Sequence, residues 1–339
     1  MKKIIVPILL LLLIIGGYFG FNYYQKLYHA NVLQSGKLYI PSGATYAQVL
    51  DSLGKFLKDP ASFKWVADQK KYPKRIKPGR YSMKEGEHNS DLINRLRSGQ
   101  QDEIAIRIGN YASIFELASK MDPLLETDSA AIITAIVTDE LSNGLDTAQM
   151  LYFIMPETYN FHWNTSAQQF VSRMKQQYQK FWTPERREKA RLKGMSAVEV
   201  VTLASIVQLE SAVAEEQPRV AGLYLNRLKI GMKLDADPTV IFAMKKAAGF
   251  PQKIQRVYHK NLLIESPYNT YRNKGLPPGP ICMPNPSAID AVLSPAQHDF
   301  LYFVADPSRP GYHLYAKTLA EHEKNAVVYR QWLNRQNIK

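Results

Sequence analysis

The chain holds a single cysteine, Cys282. No internal disulfide can form, and the Cys/His spacing of a structural zinc site is absent too. There is no glycine loop of the kind that cradles phosphate. No metal or cofactor is therefore expected. Carboxylates are in deficit, with 30 Asp and Glu against 43 Lys and Arg, a formal charge of +13. Such an excess favours an anionic partner: nucleic acid, a membrane surface or an acidic polymer. Nothing resembles a nucleic-acid motif, so nucleic acid is set aside. Internal repeats and low-complexity tracts are absent as well. What is present is ordinary globular material: 339 residues, 45% of them hydrophobic, enough for about two domains and an anchor.

The apolar run IIVPILLLLLIIGGYFGF (4–21) carries no charge and is long enough to cross a bilayer. Tyr23 and Tyr24 follow, at the level where tyrosines favour the membrane interface. A cleaved signal peptide is the competing reading. The run is longer than the usual apolar stretch of a signal peptide, however, and no small-x-small site follows closely. No cysteine follows it, so a lipid anchor is excluded. We expect a single-pass anchor over 4–24 in the cell (inner) membrane. Residues 1–3 would be the cytoplasmic start, with Lys2 and Lys3, and the rest would lie outside the cytoplasm. A connector is expected over 25–36.

From Lys37 the pattern is strand, turn, helix: KLYI alternates, PSG turns, and Thr45 with Gln48 forms a capping box. A second helix is expected over 62–71 and a return strand within PGRYSMKEG (78–86). A short helix over 91–97 follows, capped by Ser90 and ended by Gly99. This strand, two helices and strand, within 37–100, form a compact LysM-like arrangement. Residues 101–339 then mix helices with short strands that cluster rather than alternate, which predicts an α+β fold. The basic run RREKARLK (186–193) is expected to be a solvated face. FLYFV (300–304) is expected to be a short buried strand.

One helix stands out. Ser196 and Glu199 form a second capping box, and Val200, Leu203, Ala204 and Val207 recur at helical spacing. Val201, Ile206, Leu209 and Val213 are apolar too, so the helix is greasy on most sides and should be buried. On the helical wheel Glu210 falls between Leu203 and Ile206. A carboxylate so placed is poorly solvated and keeps its proton towards neutral pH. A buried glutamate paired with an arginine such as Arg219 or Arg227 fits the same pattern. Further on, residues 266–286 carry six prolines, five of them after a Tyr-Asn-Thr-Tyr run, the composition of a rigid, aromatic groove loop.

Five segments together resemble the YceG/MltG family of membrane-anchored endolytic murein transglycosylases. They are ASIVQLESAVAEE, NRLKIGMKLDADPTVIFAM, SPYNTYRNKGLPPGPICMPN, LYFVAD and GYHLYAKTLAEH, with PETY (156–159) similar to an earlier family segment. The resemblance spans nearly the whole chain. It implies a substrate, the glycan strands of peptidoglycan, cut within the strand to leave 1,6-anhydromuramyl ends. It also implies peptidoglycan synthases as candidate partners and a role in ending nascent strands. The family's catalytic glutamate is the second acid of a Glu-x-Glu pair. That position is Glu210, while the first acid is replaced by Gln208. By motif membership, Asp237, Tyr268, Asn269, Thr270, Tyr271 and His313 are the candidate substrate-binding residues. His322 and Glu323 are expected on a helix surface, and Arg227 as a structural partner for an acid. Two other readings stay open: a muramidase using Asp235 or Asp237 as a second carboxylate, and a wall-binding scaffold without catalysis.

Overall fold

The computed structural model describes residues 2–250, 254 and 257–336, with the side chains of 2–5 left aside. Met1 and residues 337–339, the outermost parts of the expected cytoplasmic start and catalytic segment, lie outside that description. The fold is mixed α+β with an apolar N-terminal helix, and the chain divides into two compact units.

Unit 1 comprises 1–106 with 124–127 and 160–166. It opens with α1 (Lys2–Tyr28) and continues with β1 (Gly36–Ile40), α2 (Tyr46–Gly54), α3 (Pro60–Gln69), β2 (Gly79–Met83) and α4 (Asn89–Ser98). β1 and β2 pair antiparallel, Leu38 opposite Tyr81. Their inward side chains, Leu38, Ile40, Tyr81 and Met83, meet Leu53, Phe63, Val66 and Leu92 in one core. The Thr45–Gln48 capping box forms as its sequence dictates. α3 starts earlier than its apolar pattern suggests, because Asp59 caps it by accepting the Ser62 N–H. Ser90 does not cap α4. His88 occupies that position without a side-chain capping bond, while Asn89 and Ser90 turn inward.

The stretch expected to be a connector is part of this unit. α1 runs on to Tyr28, Leu27 enters the core, and bridges join Ala30 to His88 and Val32 to Leu57. A buried polar knot fixes it. Asn89 donates to the Lys26 carbonyl at 2.9 Å and to Ser62 Oγ at 3.0 Å, and accepts from Asn31 at 2.7 Å.

β3 (Glu103–Arg107) precedes α5 (Ile114–Met121) and α6 (Ser129–Val137), and pairs with β4 (Thr158–His162). Unit 2 holds α5 and α6 and continues through α7 (Ala167–Phe181), α8 (Pro184–Leu192), α9 (Ala197–Glu210), α10 (Gln217–Lys229), α11 (Asp237–Ala247) and α12 (Pro286–Leu293). It closes with β5 (Tyr302–Ala305), β6 (His313–Ala316) and α13 (Leu319–Arg335). α9 is its axis: every residue from Val200 to Val207 is buried, and α8, α10, α11 and α12 pack on it. β5 and β6 form an antiparallel hairpin covered by α13. β5 is only half-buried, contrary to the buried strand expected of FLYFV, because part of it faces a cleft. α8 is largely solvated, though Arg186 forks onto Asp290 of α12 at 2.8 and 2.9 Å.

The knot around Asn89 yields a prediction. Asn89→Ala removes the side-chain donor to the Lys26 carbonyl and one of the two acceptors of the Asn31 amide, and should lower stability by about 2 kcal/mol in denaturant titration. Asn94→Ala, at an exposed position of the same helix, should change it by less than about 0.5 kcal/mol.

Candidate active site

α9 ends at Glu210, where Ser211 takes up extended backbone. The chain turns through 211–216 into α10, so the end of α9 faces the first turns of α10. Tyr224 of α10 is fully buried, and its hydroxyl donates to Glu210 Oε1 at 2.9 Å. Among the described residues no arginine pairs with Glu210. Arg219 lies 3.9 Å from Glu216, and Arg227 is held by backbone carbonyls, donating to Leu301 O and Leu234 O at 2.6 Å each. Arg227 also sits 3.8 Å from Asp235, the acid partner expected of it.

Burial pushes the Glu210 carboxyl up to about 7; the nearby charge of Asp237 adds to this, while the Tyr224 hydrogen bond and Arg227 oppose it. The last turn of α9 places the group at the negative end of its own helix dipole, which also disfavours the anion. The cleft that Glu210 faces has a volume of about 400 Å³. Its walls come from α10 (Arg227), the stretch leading into α11 (Leu234, Asp235, Asp237), Tyr271, β5 (Tyr302, Phe303) and α13 (Leu319, His322). A larger groove, about 820 Å³, lies along residues 222, 225 and 229 of α10, on the side turned away from Tyr224. Among the described residues its one carboxylate, Glu199, is committed to capping α9.

The residues expected to bind substrate divide. Asp237 and Tyr271 both line the cleft, joined by a bond from the Tyr271 hydroxyl to Asp237 Oδ1 at 2.6 Å. Tyr268, Asn269 and Thr270 do not line it; all three are buried. Asn269 donates to Leu262 O and Ile264 O and accepts from the Tyr271 N–H. Thr270 accepts from the Ala236 N–H and bonds Thr239. Tyr268 packs on Phe242, ring centroids 4.7 Å apart. They shape the loop that carries Tyr271 and pin it to the start of α11. Much of the proline-rich stretch is core as well, for Ile281, Cys282 and Met283 are buried and the Ile281 N–H bonds Ser205 of α9. His313 is also outside the cleft. It faces Glu216, with Nδ1 3.1 Å from a carboxylate oxygen that Tyr315 also bonds, and Phe303 packs edge-on to it.

Sequence reasoning passed over two residues. Tyr224 belongs to the apolar stripe of α10, and only its hydroxyl reaches the site. His322 was expected on a helix surface, yet it lines the cleft and stacks on Tyr302 at 23° and 5.4 Å. Its Nδ1 is buried without a hydrogen-bond partner, and burial, with Arg227, lowers its pKa below the usual histidine range. The ring is therefore neutral near pH 7. Its signal was faint: a lone histidine in a charged helical stretch. Among the described residues no group of three His, Cys, Asp or Glu is placed to hold a metal ion.

With this geometry in hand, comparison with known proteins places the chain. The profile of the YceG-like family matches residues 38–327. An endolytic murein transglycosylase of Bacillus subtilis is 30% identical over 86% of this chain and 83% of its own length. One from Streptococcus pneumoniae is 27% identical over 95% of this chain, which spans 64% of that longer relative. The crystal structure of a yceG-like protein from Listeria monocytogenes aligns with a TM-score of 0.57 at 23% identity, covering 86% of this chain and 98% of that one. That last likeness speaks for the fold.

The raised acid has a measurable consequence for stability. Between its unfolded value near 4.5 and about 7, Glu210 binds more protons in the native state than in the unfolded one. Stability therefore falls as pH rises through that window, by about 3 kcal/mol in all. Glu210→Gln keeps an acceptor for Tyr224 but has nothing to ionise. The variant should be more stable than wild type by about 2–3 kcal/mol near pH 8, with the gap closing below about pH 4.5. Unfolding curves across that range test the sign.

Proposed function

The chain belongs to the YceG-like family, and from that membership and the proton held by Glu210 we propose that it is an endolytic murein transglycosylase. One acid suffices for this reaction. Glu210, whose raised pKa keeps its protonated form well populated near pH 7, gives its proton to the glycosidic oxygen as the bond from N-acetylmuramic acid to N-acetylglucosamine breaks. The carboxylate so formed then removes the proton from the muramyl 6-hydroxyl, whose oxygen closes on the anomeric carbon to leave a 1,6-anhydro end. Because the attacking hydroxyl belongs to the sugar already bound, closure is intramolecular and competes well with water. Tyr224 orients the carboxyl. Tyr271, Asp237 and the neutral His322 offer hydrogen bonds to sugar hydroxyls and acetamido groups along the cleft.

Asp235 and Asp237 line the same cleft, which favours a second reading, hydrolysis of the same bond with one of them activating water. Their surroundings count against it: Asp235 lies beside Arg227, and Asp237 is engaged by Tyr271. We also propose that α1 is a single-pass anchor with the two units outside the cytoplasm, that the strand–two-helix–strand of unit 1 is LysM-like, and that the substrate is the strand near the membrane. The run of α1 through Leu27 into the core of unit 1 supports a retained helix over a cleaved one.

Digestion of purified sacculi decides the chemistry. Wild type should release anhydromuramyl-ended fragments, and Glu210→Gln should lose at least about a thousandfold in rate. Reducing muramyl ends carrying label from heavy-oxygen water would instead mean hydrolysis. The rate should fall above about pH 7, as Glu210 loses its proton. His322→Ala should cost about tenfold in kcat/KM, the worth of one substrate hydrogen bond, with little change in thermal stability.

A further inference from the structure

We propose that α3 seats Trp65 in the headgroup layer of the bilayer that α1 spans, so that unit 1 stands directly on the membrane surface. The proposal rests on reading α1 as an anchor.

Helix length sets the depth of Trp65. α1 is unbroken from Lys2 to Tyr28. At 1.5 Å per residue its stretch of apolar and glycine residues, 4–21, is about 27 Å long, close to the thickness of the hydrocarbon core. Tyr23 then lies about 3 Å past the end of that stretch and Lys26 about 8 Å past it, within the polar layer that adds roughly 5–8 Å on each side. Both residues hold Trp65. The Tyr23 and Trp65 rings meet edge to face with centroids 5.4 Å apart, and the Lys26 ammonium lies 4.7 Å from the indole centroid. Tilt of the helix shortens its projection along the membrane normal, which draws its far end nearer the core.

The junction cannot act as a swivel. Leu27 is in the core of unit 1 and the Lys26 carbonyl is bonded by buried Asn89, so α3 travels with the helix. Tyr24 and Tyr28 pack on one another beside it, both exposed. The partner that fits aromatic rings interleaved with Lys26 and the exposed Lys64 is the phospholipid interface, with its glycerol and anionic phosphate groups.

The test uses the full chain in vesicles of phosphatidylglycerol and phosphatidylethanolamine. Trp163, Trp182 and Trp332 are changed to Phe, so that Trp65 alone of the four tryptophans emits. Bromine placed near the headgroup should quench that emission at least about twofold more than bromine near the chain terminus. Equal or absent quenching, in protein that resists alkaline carbonate extraction, overturns the seating while leaving the anchor standing. Release by carbonate overturns the anchor and the proposal with it. Should the triple variant not fold, Lys64→Cys with a nitroxide gives the same answer on an otherwise native chain, since Cys282 is buried. A label relaxed as in bulk water overturns the proposal, and one shielded to headgroup depth upholds it.

Discussion

Everything in unit 2 turns on keeping a proton on one carboxyl. The last turn of α9 brings Glu210 to the edge of a core in which all residues from Val200 to Val207 are buried, and leaves it facing a narrow cleft. An ionised group there would lose water on most sides and face its own helix carbonyls. The fold accepts a neutral acid instead, a cost of about 3 kcal/mol above the carboxylate range against a total stability several times that for a domain. A group poised near neutrality is also the best compromise between giving a proton and taking one back, and transglycosylation asks a single residue to do both.

The wall opposite Glu210 is arranged so that its own charge is spoken for. Arg227 would be an expensive cation to bury alone, but its guanidinium bonds the Leu301 and Leu234 carbonyls and lies beside Asp235. Those carbonyls belong to the approach to β5 and the approach to α11, so one side chain ties three segments around the cleft. The same guanidinium lies over the Tyr302 ring at 5.6 Å, and Tyr302 stacks on His322. A cation, an aromatic face and an imidazole in series favour the neutral form of His322.

Much of this was legible in the sequence, for reasons that also explain the misreadings. Capping boxes at Thr45 and Ser196 are local, because the partners lie three residues apart, and both form. Glu210 was legible because a carboxylate interrupting a greasy helix has few places to go. Tyr268, Asn269 and Thr270 were misplaced because an aromatic and polar tripeptide reads alike whether it faces a ligand or satisfies a loop's own backbone. Only the partners, the carbonyls of Leu262 and Ile264 and the N–H of Ala236, show which it is. His313 and His322 exchanged expectations for a similar reason. Each is one histidine with nothing in its neighbours to say which buried acid or cleft it meets across the fold.

Gln208 is informative in the same light. Residues two apart on a helix point to different sides. Glu210 looks to Tyr224 of α10, whereas Gln208 looks to α12, its Oε1 accepting the Asn285 N–H at 3.2 Å. What position 208 must supply there is an oxygen beside a helix N-terminus, and an amide does so as well as a carboxylate. A second acid two residues from Glu210 would add a charge that raises its pKa further. Glutamine keeps the acceptor and drops that charge. The departure from Glu-x-Glu is therefore structural in its first position, and it leaves the Glu210 carboxyl tuned by burial, by Tyr224 and by Asp237.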